Sequence, residues 1–144
     1  MSPGFATYLA LLWACSGDRY LSEPVPPDGS TAIRLTTDRL SYARGAPAKL
    51  ELLNESADTV LFGGCHDVLE RLLPTGEWVG LRPLGHSCPD IALLLLPGIP
   101  WTLPFDLRPA TVAGAYRLRR PFSPFRAGVE GTFYRRSNVF QITP

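Results

Sequence analysis

An all-β domain is what this sequence predicts, and three observations carry the expectation. Proline (15) and glycine (13) are abundant and spread without a period, which cuts the chain into short segments and argues against long helices or a collagen-like repeat. Between them lie short runs rich in β-branched and aromatic residues, several alternating apolar with polar positions. No stretch of convincing length has the apolar period of an amphipathic helix, and no internal repeat is evident.

Each element has its own signal. Ile33, Leu35 and Thr37 alternate with Ala32, Arg34 and Thr36, the pattern of a strand with one buried face. Tyr42-Ala43-Arg44-Gly45 reads as a turn. A second strand is expected over Ala48 to Asn54, where Ala48, Leu50 and Leu52 oppose Lys49 and Glu51. Asn54 to Asp58 has the polar content of a hairpin loop, and Thr59 to Phe62 forms a third strand before Gly63-Gly64-Cys65. Val68 to Leu73 and Trp78 to Leu81 flank Pro74-Thr75-Gly76-Glu77, a hairpin signal.

Further along, Ile91 to Leu96 is a continuous apolar run stopped by Pro97-Gly98, too short to cross a bilayer and expected in the core. Trp101 to Leu107 carries Pro104, which cannot donate to a ladder and so suggests an edge strand or bulge. In Gly114 to Arg119, Tyr116 and Leu118 face one way while Ala115, Arg117 and Arg119 face the other. The last strand is Asn138 to Ile142. About seven strands in roughly a hundred residues is the size of an immunoglobulin-like β-sandwich. Val112-x-Gly114-x-Tyr116 has the pattern of a tyrosine corner, in which the phenol bonds back to upstream backbone; an ordinary strand tyrosine after a turn glycine is the other reading.

The net charge is +1, with basic character almost wholly from arginine and Lys49 the single lysine. No global field recruits nucleic acid, and no nucleic-acid partner is expected.

The N-terminus sets the expected address. An apolar run from Phe5 closes on Leu12-Trp13-Ala14-Cys15, which resembles a bacterial lipobox: Leu three before the Cys, a small residue directly before it. The resemblance implies removal of residues 1–14 as a signal peptide and lipid on Cys15, hence a membrane partner through the lipid and residence in the cell envelope. If the organism has two membranes, Ser16 after the Cys resembles outer-membrane lipoproteins. The run is too short to span a bilayer. No Lys or Arg precedes Arg19, unlike the charged start of most signal peptides. Ordinary secretion, or a buried apolar N-terminal element, are the other readings. Residues 15–31, carrying Pro24, Pro26, Pro27 and Gly29, read as a flexible tether, and 32–144 as the sandwich.

The order of several short motifs resembles bacterial immunoglobulin-like domains of exported proteins. They are Leu35-Thr36-Thr37-Asp38-Arg39 with Tyr42 and Gly45, Leu50-Glu51-Leu52-Leu53-Asn54, Trp78 after a glycine turn, Pro97-Gly98, and Gly114-Ala115-Tyr116-Arg117-Leu118. That likeness implies a sandwich with a binding or structural role and no catalytic residues to carry over.

Reactive side chains gather in Cys65-His66-Asp67 and His86-Ser87-Cys88-Pro89-Asp90. In an exported chain Cys65 and Cys88 are expected to form a disulfide, closing a loop of roughly 20 residues that contributes on the order of 3 kcal/mol. The alternative is a metal site of Cys65, His66, His86 and Cys88, although adjacent Cys65 and His66 are poorly placed to converge on one ion. No cofactor is expected. Gly85-His86-Ser87-Cys88 lacks the second glycine of a nucleophile elbow, and no phosphate loop or metalloprotease helix occurs, so no enzymatic activity is expected. The segment Pro121 to Gly131 mixes aromatics with arginine, and Phe122, Phe125 and Arg126 form a candidate binding loop for a protein or envelope component. The alternative places both phenylalanines over the end of the sandwich, with the nearby arginines as a solvated face. An exported hydrolase inhibitor presenting a loop is a further reading.

Overall fold

The computed structural model describes residues 20–23, 32–63, 67–83, 91–126, 128 and 131–144. The strands in chain order are β1 (Tyr20–Glu23), β2 (Ile33–Thr37), β3 (Ser41–Ala43), β4 (Ala48–Asn54), β5 (Val60–Gly63), β6 (Val68–Leu72), β7 (Trp78–Pro83), β8 (Ala92–Leu95), β9 (Trp101–Phe105), β10 (Gly114–Pro124), β11 (Phe133–Arg136) and β12 (Phe140–Thr143). Among the described residues there is no helix. A sheet of nine strands packs on one of three, β2-β4-β9, as an immunoglobulin-like β-sandwich.

β10 is the spine of the larger sheet. Its first half pairs with β6 on one edge and β12 on the other; its second half pairs with β5 and β11. Tyr116 faces both Arg71 and Phe140, and Phe122 both Phe62 and Phe133. β5 and β6 therefore follow one another along one edge of β10, and β11 and β12 along the other. β7 and β8 form the next line out, pairing with β6 and β5 in turn, and β1 runs antiparallel beside β7. β3 closes the far side, parallel to β12.

The core sits between the sheets and follows from alternation. β2 and β4 bury Ile33, Leu35, Leu50 and Leu52 and expose the residues between. They meet Leu69, Tyr116, Leu118, Phe122 and Phe140 from the larger sheet. Aromatic rings bridge the layers: Tyr42 meets Phe105 edge-on at 5.9 Å, and Phe62 meets Trp101 at 5.5 Å. Such pairs add to their area burial when edge-to-face.

The tyrosine corner is present. The buried Tyr116 hydroxyl donates to the Val112 carbonyl at 2.8 Å, and Gly114 between them has φ 148°, a conformation that favours glycine. The 73–77 hairpin also forms, with Leu69 opposite Leu81 and Leu72 opposite Trp78. Among the described residues β9 is an edge strand, which accommodates Pro104.

Several expectations are corrected. Tyr42 lies in β3 rather than in a turn, and its ring is buried against Phe140. Its hydroxyl donates to Asp38 Oδ1 at 2.6 Å and accepts the Arg39 N–H, so the residue works as a second anchored tyrosine. The run Ile91 to Leu96 is only in part core: Leu95 is buried, but Ile91, Leu94 and Leu96 are exposed. β8 has one neighbouring strand among the described residues, and its apolar composition alone could not reveal that. The tether read over 15–31 contains β1, because an edge strand needs little more than backbone pairing with β7. The continuation of β10 to Pro124 turns the first four residues of the expected binding loop, Pro121 to Pro124, into sheet paired with β5 and β11.

Candidate binding surface

The face of β6 and β10 turned away from the core carries a buried ionic cluster. Glu70 on β6 lies in register with Arg117 on β10 and with Gly80 on β7, which offers no side chain to crowd it; Gly80 is in turn opposite Glu23 of β1. Glu70 is fully buried. Its Oε2 accepts from Arg117 Nε at 2.7 Å and Arg136 Nε at 3.1 Å, and Arg119 Nη1 stands 3.5 Å from Oε1. The Arg117 guanidinium lies over the Trp78 ring at 4.0 Å, and that of Arg119 over Tyr134 at 5.2 Å. Stacking on aromatic faces lets guanidinium groups sit close together while shedding water. Arg117, Arg119 and Arg136 are therefore not part of a solvated face, whereas Arg126 is exposed.

Arg120 points to the core side of the same strand. Its guanidinium donates to the Gly63 carbonyl at 2.6 Å and to Asp67 Oδ2 at 2.5 Å, tying together the two ends of the 64–66 connection. The Asp67 carboxylate beside Cys65 and His66 is thus committed to an ion pair. Cys15, Cys65, His66, His86 and Cys88 lie outside the described residues. Among the described residues no group of three or more His, Cys, Asp or Glu side chains could hold a metal ion.

The candidate binding residues part company. Phe122 is buried in β10, stacked on Phe133 at 5.8 Å and near Phe62 at 6.3 Å, so it cannot touch a partner without unfolding the sheet. Strand alternation from Tyr116 and Leu118 puts Phe122 on the core face, a signal that the strand end chosen at Arg119 concealed. Phe125 and Arg126 are exposed, Phe125 by 57 %.

Phe125 has apolar company that sequence reading missed. Its N–H donates to the Thr59 carbonyl, one residue beyond the Leu95, Val60, Pro124 row of the sheet. Leu96 leaves that row at the same end. Ile91, Leu94, Leu96 and Ile99, all exposed, lie on β8 and its flanks, so one border and one adjoining end of the sheet are apolar. Exposed apolar side chains gathered in one place mark a contact surface more often than scattered ones do. Asn54 holds this border: fully buried, its amide donates to the Leu95 carbonyl at 3.0 Å and the Asp58 carbonyl at 2.7 Å.

No family model matches the chain, and neither does any curated protein. Among solved structures it is similar to an ASH/PapD-like domain of human CEP192 (PapD-like domain 7), with 16 % identity, 85 % of this chain and 93 % of that chain covered, and a TM-score of 0.35.

Proposed function

We propose that this chain is a non-catalytic immunoglobulin-like module of a cell envelope, held by lipid on Cys15, that works through surface contact with an envelope component. The observation that carries the reading is the apolar border of β8 with Phe125 beside it, exposed in a domain whose buried Glu70 and half-buried Asp67 are both engaged by arginines. Phe125 and Arg126 are the exposed part of the binding loop expected from sequence, and β8 extends the surface. The lipobox-like Leu12-Trp13-Ala14-Cys15 supports the anchor.

Intact mass and fractionation after expression in a bacterial host test this. The mature protein should lack residues 1–14, carry acyl chains on Cys15 and sediment with membranes, because two or more chains give stable attachment. Cys15→Ala should release it. Wild-type protein found soluble with an unmodified Cys15 would overturn the reading.

A further inference from the structure

We infer that the apolar surface formed by Ile91, Leu94, Leu96, Ile99 and Phe125 is seated on the bilayer that holds the lipid of Cys15, an inference that rests on the anchor proposed above. Chain direction is the first reason. β1 pairs antiparallel with β7, from Tyr20 opposite Pro83 to Glu23 opposite Gly80, and β8 continues the line of β7 along the sheet. The N-terminal end of β1 is therefore the end nearer β8. Cys15 stands five residues ahead of Tyr20, a link that reaches about 17 Å when fully extended. An anchor on so short a link holds this border of the sheet against the membrane.

The chemistry of the surface agrees. Leucine, isoleucine and phenylalanine are the side chains that enter the boundary between headgroups and acyl chains. The exposed Arg126 next to Phe125 supplies a cation for anionic headgroups. The outer backbone edge of β8, which no strand covers among the described residues, keeps the contact shallow, since its amide and carbonyl groups need hydrated headgroups rather than hydrocarbon. A polypeptide strand added to β8 would satisfy that edge but would leave Phe125 uncovered, because β5 lies between β8 and β10. A bilayer covers the border and the end of the sheet together.

The test uses the full-length lipidated protein in vesicles of phosphatidylethanolamine and phosphatidylglycerol whose acyl chains are brominated near the headgroup. Tryptophan is introduced as Leu94→Trp or Phe125→Trp, with Leu40→Trp, exposed on another part of the sandwich, as control. Bromine should quench most of the added emission at 94 and 125 and little at 40. Membrane-bound protein without quenching at 94 and 125, or with equal quenching at 40, overturns the inference while leaving the anchor standing. Absence of lipid on Cys15 in the same preparation overturns both. A photoreactive Leu94→p-benzoylphenylalanine variant should form adducts with lipid; adducts with another protein, a second copy or the chain's own upstream residues would instead assign the surface to that occupant.

Discussion

Arg117 Nε lies 2.7 Å from Glu70 Oε2, and this pair is the centre of a cluster in which one buried carboxylate meets three guanidinium groups. The contact spans 47 residues of chain and fixes β6 against β10 on the face turned away from the three-stranded sheet. Removing the carboxylate leaves Arg119 and Arg136, both nearly buried, facing one another without their common anion. Glu70→Gln is expected to destabilise the domain by about 3–5 kcal/mol, as for other broken buried pairs. Arg34→Ala, which removes an exposed pair with Glu55 at 3.4 Å, should cost no more than about 1 kcal/mol. Urea unfolding of the two variants checks the contrast, and equal small losses would show that the cluster contributes little.

Alkaline pH should weaken the fold through Tyr42. Burial first, then the hydrogen bond to Asp38, pushes its phenol from 10.0 to about 12. Between those values the unfolded chain has lost the proton and the folded chain retains it, so stability present below pH 10 is lost as pH rises toward 12. The slope is at most about 1.4 kcal/mol per pH unit from this residue. Tyr116, raised by burial, acts in the same direction. Denaturant midpoints measured from about pH 8 to 12 should fall in the wild type and fall less steeply in Tyr42→Phe, which keeps the contribution of Tyr116. The hydrogen bond from Tyr42 also holds the Asp38 carboxyl below its ordinary value, so its stabilisation is lost only when pH falls through that lowered value.

The corner hydroxyl of Tyr116 is testable by deletion of a single atom. Tyr116→Phe keeps the ring stacked on Phe140 at 6.4 Å and removes the hydroxyl that bonds to Val112 and also interacts with Arg71. A loss of about 1 kcal/mol is expected, the net value of such a bond. An unchanged unfolding midpoint and slope would remove the corner from the account of stability.

Phe122 and Phe125, three residues apart, should behave oppositely. Phe122→Ala vacates the space between Phe62 and Phe133 and is expected to cost about 3–5 kcal/mol. Phe125→Ala removes an exposed ring and should change stability by less than about 0.5 kcal/mol. Circular dichroism during thermal unfolding separates the two outcomes.

A disulfide between Cys65 and Cys88 is expected after export. Both thiols should resist alkylation until reduced, and reduction should lower stability by about 3 kcal/mol. Ready alkylation of both without reductant, with stoichiometric zinc retained, would favour a metal site.

Local pattern was enough for much of the framework. Alternation in Ile33 to Thr37 and Ala48 to Asn54, the turn residues at 74–77 and the spacing of Val112, Gly114 and Tyr116 each state a constraint that neighbouring residues impose on one another. β2, β4, the β6–β7 hairpin and the tyrosine corner are therefore legible in the amino-acid order alone. Strands of three or four residues, such as β1, β3 and β11, carry too few positions for a period to show, and pairing with a distant partner is what makes them strands. The same holds for the surfaces. Composition marks Arg117, Arg119 and Arg136 as a basic region, but only the registers of β6 and β11 beside β10 bring Glu70 to them, with Glu70 and Arg119 buried and Arg117 and Arg136 half-buried. Ile91 to Leu96, Phe122 and Phe125 are apolar in the chain whichever way they point; the sheet edge at β8 and the core face of β10 decide that Leu94 and Phe125 meet solvent while Leu95 and Phe122 do not, because burial is set by which strands lie alongside and on which face.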